Sequence, residues 1–60
     1  MTGDDIEAIY DAIATKIDQV GNELTELYLA KLALLLAEAT GDRKTAMKCI
    51  SDAAAALTVS

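Results

Sequence analysis

The chain contains no His, no Pro, no Trp and no Phe, and one Cys among its 60 residues. Without His and with a single thiol, the ordinary ligand sets of zinc and haem cannot be assembled within one chain. One Cys also excludes an intrachain disulfide. The missing imidazole removes the usual general base of neutral pH, which argues against an enzyme. Positive charge is scarce as well. Ten acids face five bases, giving a net charge of −5. Phosphate backbones and anionic membranes both repel such a surface, so neither nucleic acid nor membrane is expected as a partner. No cofactor is expected either.

What is present is apolar and helix-forming. Hydrophobic residues make up 53% of the chain, and 12 residues are Ala. That composition is foreign to a disordered tail. Sixty residues make at most a single small helical domain, residues 1–60. A core of this size rarely supplies more than about 3–5 kcal/mol without a disulfide, a metal or a partner. The first two are excluded above. Self-association, another partner, or unusually tidy helix packing must stand in for them.

Charge is distributed unevenly. Residues 1–21 carry five acids and one Lys, residues 22–40 three acids and one Lys, and residues 41–60 two acids and three bases. The chain therefore has an acidic first third and a weakly basic last third. Met1-Thr2-Gly3-Asp4-Asp5 is acidic, and no long apolar run follows it. No secretory leader is legible, and a cytoplasmic location with a reduced thiol is expected. The most apolar stretch, Leu27 to Ala37, is interrupted by Lys31 and is about half a membrane span.

Gly21 and Gly41 divide the sequence into three segments, and Asn22 and Asp42 follow them. Gly just past a helix end, with Asn or Asp capping the next helix, predicts two tight helix–helix turns. In the first segment, about Asp5 to Val20, the residues Ile6, Ile9, Tyr10, Ile13, Ile17 and Val20 trace one stripe of an amphipathic helix. Asp4 and Asp5 lie where carboxylates favour the helix dipole. In the second segment, about Glu23 to Thr40, a broad core face is expected from Leu24, Tyr28, Leu29, Leu32, Leu35, Leu36 and Ala39. The third, about Arg43 to Leu57, has a slimmer stripe through Ala46, Met47, Cys49, Ile50, Ala53, Ala54 and Leu57. Its Ala53–Ala56 run allows close helix approach. Val59 and Ser60 are expected to fray. The fold class is therefore all-α: three helices, up-down-up, with short Gly-Asn and Gly-Asp turns, and oligomeric.

The oligomeric expectation rests on a second row in the middle helix. Leu27 and Leu34 fall on the charged arc with Glu23, Glu26, Lys31 and Glu38, flanked by Ala30 and Ala37. Two Leu seven residues apart, lined by Ala, have the spacing of a helix–helix seam. The third helix, a helix of another chain, or solvent could meet this row. The candidate interface is Leu27, Ala30, Lys31, Leu34, Ala37 and Glu38, with Lys31 and Glu38 pairing at its edge.

Other candidate chemistry has ordinary explanations. Asp4, Asp5, Glu7 and Asp11 read as a solvated acidic face rather than a cation site, because bundle metal sites also use His and bury their ligands. Cys49 has no His to activate it, and its neighbour Lys48 points elsewhere on a helix. It reads as a small packing residue. Arg43, Lys44 and Lys48 are the only basic cluster and would serve a helix-turn-helix contact, docking to an acidic helix, or simple solvation. Tyr10 and Tyr28 lie on core stripes, with their hydroxyls expected at the rim. Ser51-Asp52 inverts the Asp-Ser-Leu order of acyl carrier proteins and lies mid-helix, which excludes that reading.

Asp5 to Ala12 (DIEAIYDA), Leu29 to Ala37 (LAKLALLLA) and the following Gly41-Asp42 resemble a family of short proteobacterial proteins, domain of unknown function 2783. The resemblance covers about residues 4–57. It implies an acidic first helix, a Leu/Ala-rich second and an Ala-rich third, in a bacterial protein. Arg43-Lys44-Thr45 and the Gly21-Asn22 turn depart from the family pattern. No activity or catalytic residue comes with the resemblance. An accessory role beside a catabolic enzyme is what it implies. The expected function is thus protein–protein interaction by a homo-oligomer, with another protein as a possible partner. The alternative is a regulatory module, helix-turn-helix-like or an acidic inhibitor or adaptor.

Overall fold

A computed structural model describes residues 1–57. Val59 and Ser60, expected to fray, lie outside the described residues. Three α-helices follow one another: α1 (Gly3–Val20), α2 (Thr25–Thr40) and α3 (Arg43–Leu57). A single turn of 3-10 helix, Asn22–Leu24, sits between α1 and α2. The described residues contain no strand. The chain is all-α, as the periodicity requires.

The helix ends show how local chemistry sets these bounds. α1 begins two residues before the stripe suggests, because Thr2 and Asp5 form a reciprocal capping box. The Asp5 amide donates to the Thr2 hydroxyl at 3.2 Å, and the Thr2 amide donates to the Asp5 carboxylate at 3.1 Å. Two otherwise orphaned amides are thereby satisfied. The second corner is as expected. Gly41 is left-handed (φ 68°, ψ 15°) and its amide donates to the Ala37 carbonyl. Asp42 then caps α3, accepting from the Lys44 amide at 3.1 Å and the Thr45 hydroxyl at 2.6 Å.

The first corner differs from expectation. Asn22 does not cap α2 but opens the 3-10 turn, and no side chain caps the start of α2 at Leu24. The reason lies in Gly21, which is not left-handed but extended at positive φ (φ 87°, ψ 163°). Its amide donates to the Ile17 carbonyl at 3.1 Å. Its carbonyl accepts from the Leu24 amide at 3.2 Å and the Thr25 hydroxyl at 3.0 Å. With the Gly21 carbonyl already serving the turn, the chain needs three more residues before it enters α2.

The expected core is not closed within one chain. None of the described residues is buried. Leu24, Leu29, Leu35 and Leu36, assigned to a core face, are exposed, Leu35 at 64%. Tyr10 is 70% exposed, so its ring as well as its hydroxyl meets solvent. Partial burial gathers near the corners: Ile13, Ala14, Ile17 and Val20 on α1, Thr25, Tyr28 and Leu32 on α2, then Ala37 and Ala46 at the second corner. Among the described residues no two Cα atoms twelve or more positions apart come within 8 Å. Helix neighbours therefore meet at the corners and diverge beyond them. The radius of gyration is 12.9 Å, against about 10 Å for a compact chain of this length.

Candidate interaction surfaces

The splayed helices leave two open apolar concavities. The larger, about 420 Å³, lies between α2 and α3. Its form follows from residue size. At 100° per residue, Ala33, Ala37 and Thr40 share one arc of α2, while Leu34 and Leu36 stand on either side of it. On α3 the facing arc carries Ala46, Cys49, Ile50 and Ala53. Small residues make the floor and Leu34, Leu36 and Ile50 the walls. The volume lies within the range of small-molecule pockets, but such pockets add convergent polar groups. Here the lining holds a single hydroxyl, that of Thr40, and no charge. A smaller notch of about 200 Å³ lies beside the first corner, lined by Val20, Leu24, Leu27, Tyr28 and Lys31.

The structure divides the candidate interface between these concavities. Leu34 and Ala37 line the larger groove, and Leu27 and Lys31 line the notch. Ala30 and Glu38 are exposed and line neither. The third helix does not cover the second Leu row: Leu34 is 72% exposed and Leu27 53%. Sequence reasoning missed Ala33, Leu36 and Ala53 as lining residues of one groove. The signal was there, as a small residue at every third or fourth position on each of two successive helices, Ala33, Ala37 and Thr40, then Ala46, Cys49 and Ala53.

Charged groups make few contacts with one another among the described residues. Lys48 and Asp52 form the one ion pair among the described residues, 2.7 Å apart and four positions along α3. Both are exposed, so the pair adds only a few tenths of a kcal/mol, of order 0.3–0.5. It still engages one of the three bases that a helix-turn-helix reading would assign to phosphate. Among the described residues Lys31 makes no ion pair. Cys49 is a free, exposed thiol on the groove. Among the described residues no three His, Cys, Asp or Glu side chains gather where they could hold a metal. No described helix is long and apolar enough to cross a membrane.

The titration of Asp42 is displaced downward. The Thr45 hydroxyl is the main cause, and the Lys44 and Thr45 amides add to it. Desolvation opposes them, and the net effect holds the carboxyl below its ordinary value of 3.8. A depressed folded-state value means the cap's full contribution is present above 3.8 and is lost as pH falls through the lower folded value. The Asp42 side-chain carbon resonance is expected to titrate below 3.8. Protection of the Lys44 amide from exchange should fall over the same interval. Asp42→Asn should keep the cap and abolish that pH dependence; an Asp42 midpoint at or above 3.8 would contradict this account.

No family model, no curated protein and no solved structure matches the chain.

Proposed function

We propose that this protein acts by protein–protein interaction, as a three-helix unit completed by further copies of itself. The exposed apolar surface carries this reading. The chain exposes 5402 Å², against about 3,700 Å² for a compact monomer of the same mass. The excess, about 1,700 Å² per chain, falls in the range that each subunit of an obligate dimer buries. Large apolar side chains are exposed on all three helices, Ile6 and Tyr10 on α1, Leu34 and Leu35 on α2, Met47 and Ile50 on α3, and exposed apolar surface that is not scattered singly marks an interaction site. The composition of α2 points the same way. Only Glu26, Lys31 and Glu38 are charged among its 16 residues, and a helix apolar on most sides belongs inside a larger core. In the assembled state the helices run up-down-up, and the protein works in the cytoplasm. An accessory role beside a catabolic enzyme, which the resemblance implies, suits a protein that acts through an exposed apolar surface.

The test is solution mass and melting temperature across a hundredfold range of concentration. Linkage makes the melting temperature of a dimer rise with concentration, by about 10 °C over that range for two chains of this length. A constant dimeric or larger mass with such a rise supports the proposal. A monomer whose melting temperature is independent of concentration overturns it.

A further inference from the structure

We propose that α1 of one copy seats in the α2–α3 groove of a second copy, and reciprocally, so that two chains close two three-helix units by exchanging their first helices. This rests on the self-association reading and names the surface that performs it. Among the exposed apolar parts of the described residues, two complement each other. One is the N-terminal half of α1, where Ile6, Ile9 and Tyr10 are exposed. The other is the groove, where Leu34, Leu36 and Ile50 are exposed. α1 and α3 of one chain do not touch.

The spacing of the two surfaces matches. The stripe Ile6, Ile9, Tyr10, Ile13 and the groove positions Ala46, Cys49, Ile50, Ala53 have the same intervals. With α1 lying parallel to α3 and Gly3 level with Arg43, each pair falls at one height. Large side chains on α1 then oppose mostly small ones on α3, the size relation of knobs entering a valley. Charge fixes the direction. α1 carries Asp4, Asp5, Glu7 and Asp11 and no base before Lys16, while the first turns of α3, behind the Asp42 cap, carry Arg43, Lys44 and Lys48, the last paired with Asp52. In the parallel alignment the acidic start of α1 lies beside the basic start of α3. The reverse alignment would set those acids beside Asp52 and the Ala run.

The first corner explains why a second copy supplies the helix. Gly21 occupies a region essentially restricted to glycine. Three hydrogen bonds hold its amide and carbonyl to Ile17, Leu24 and Thr25. Swinging α1 onto its own groove would require re-forming this corner. Docking α1 of another copy leaves it intact.

Cys49 allows a direct test with the full-length chain. A double variant, Ile9→Cys with Cys49→Ser, is mixed with wild type and oxidised. A disulfide heterodimer then joins α1 of one chain to α3 of another and can arise only between copies. It is expected at least tenfold faster than with Thr15→Cys, Cys49→Ser, whose thiol lies on the opposite arc of α1. Ile6→Cys, Cys49→Ser, one turn away, guards against damage at Ile9, and the helicity of each variant is measured first. If wild type associates but neither Ile variant outpaces the Thr15 control, the exchange is wrong and self-association stands. If wild type is monomeric and single Ile9→Cys closes an intrachain disulfide with Cys49, both are wrong.

Discussion

Leu34→Glu is expected to leave a helical monomer. Leu34 is 72% exposed in the single chain, so the substitution removes little packing within that chain. Leu and Glu have similar helix propensities, and α2 should persist to the extent that it is stable alone. The loss appears on association. Leu34 forms one wall of the α2–α3 groove. Burying such a side chain contributes about 1.5–3 kcal/mol, and a two-fold dimer contains two of them. The loss of about 3–6 kcal/mol weakens the dissociation constant by about 10²–10⁴-fold. A carboxylate facing an apolar wall adds to that. Light scattering should show the mass falling to that of one chain at concentrations where wild type remains assembled. Leu34→Met, which keeps volume and apolarity, should stay assembled with a cost under about 1.5 kcal/mol per site. Equal masses for wild type and Leu34→Glu at every concentration would remove Leu34 from the interface.

The helices were legible because their stripes and breaks are strong. The Ile stripe of α1, the Gly41-Asp42 turn and the start of α3 at Arg43 follow from period, cap and composition alone. The capping box at Thr2 is legible too, as Thr-x-x-Asp ahead of an apolar stripe. The corner at Gly21 was not legible. Gly-Asn is compatible with a left-handed glycine followed by a cap and equally with an extended glycine feeding a 3-10 turn. The Thr25 hydroxyl, four residues on, favours the second. The distribution of burial was also beyond the sequence. A stripe states which face seeks cover and does not state whose atoms provide it. Leu35 and Leu36 read as core on a wheel, and in the single chain they remain exposed. The groove is half legible: Leu34 reads as part of a seam and Leu36 and Ile50 as parts of apolar stripes, while the period alone does not say that they wall one groove.

Gly21→Ala is expected to be the most damaging substitution outside the apolar faces. No atom lies within 4 Å of the position a Cβ would take at Gly21, so the cost is one of backbone conformation and not of collision. At φ 87° and ψ 163° a side chain is strained by about 1–3 kcal/mol. For a chain of this length that lowers the melting temperature by about 4–8 °C per kcal/mol. Gly41 provides the internal comparison. Its φ of 68° and ψ of 15° lie in the left-handed region, which Asn tolerates. Gly41→Asn should therefore stay close to wild type, while Gly21→Asn should be nearly as damaging as Gly21→Ala. Melts at one fixed protein concentration would show the difference. Equal effects of Asn at the two glycines would mean the Gly21 corner relaxes to a left-handed turn at little cost. The corner would then no longer hold α1 away from its own groove, and the case for exchange between copies would lose its mechanical basis while the case for association through the exposed Leu surface would not.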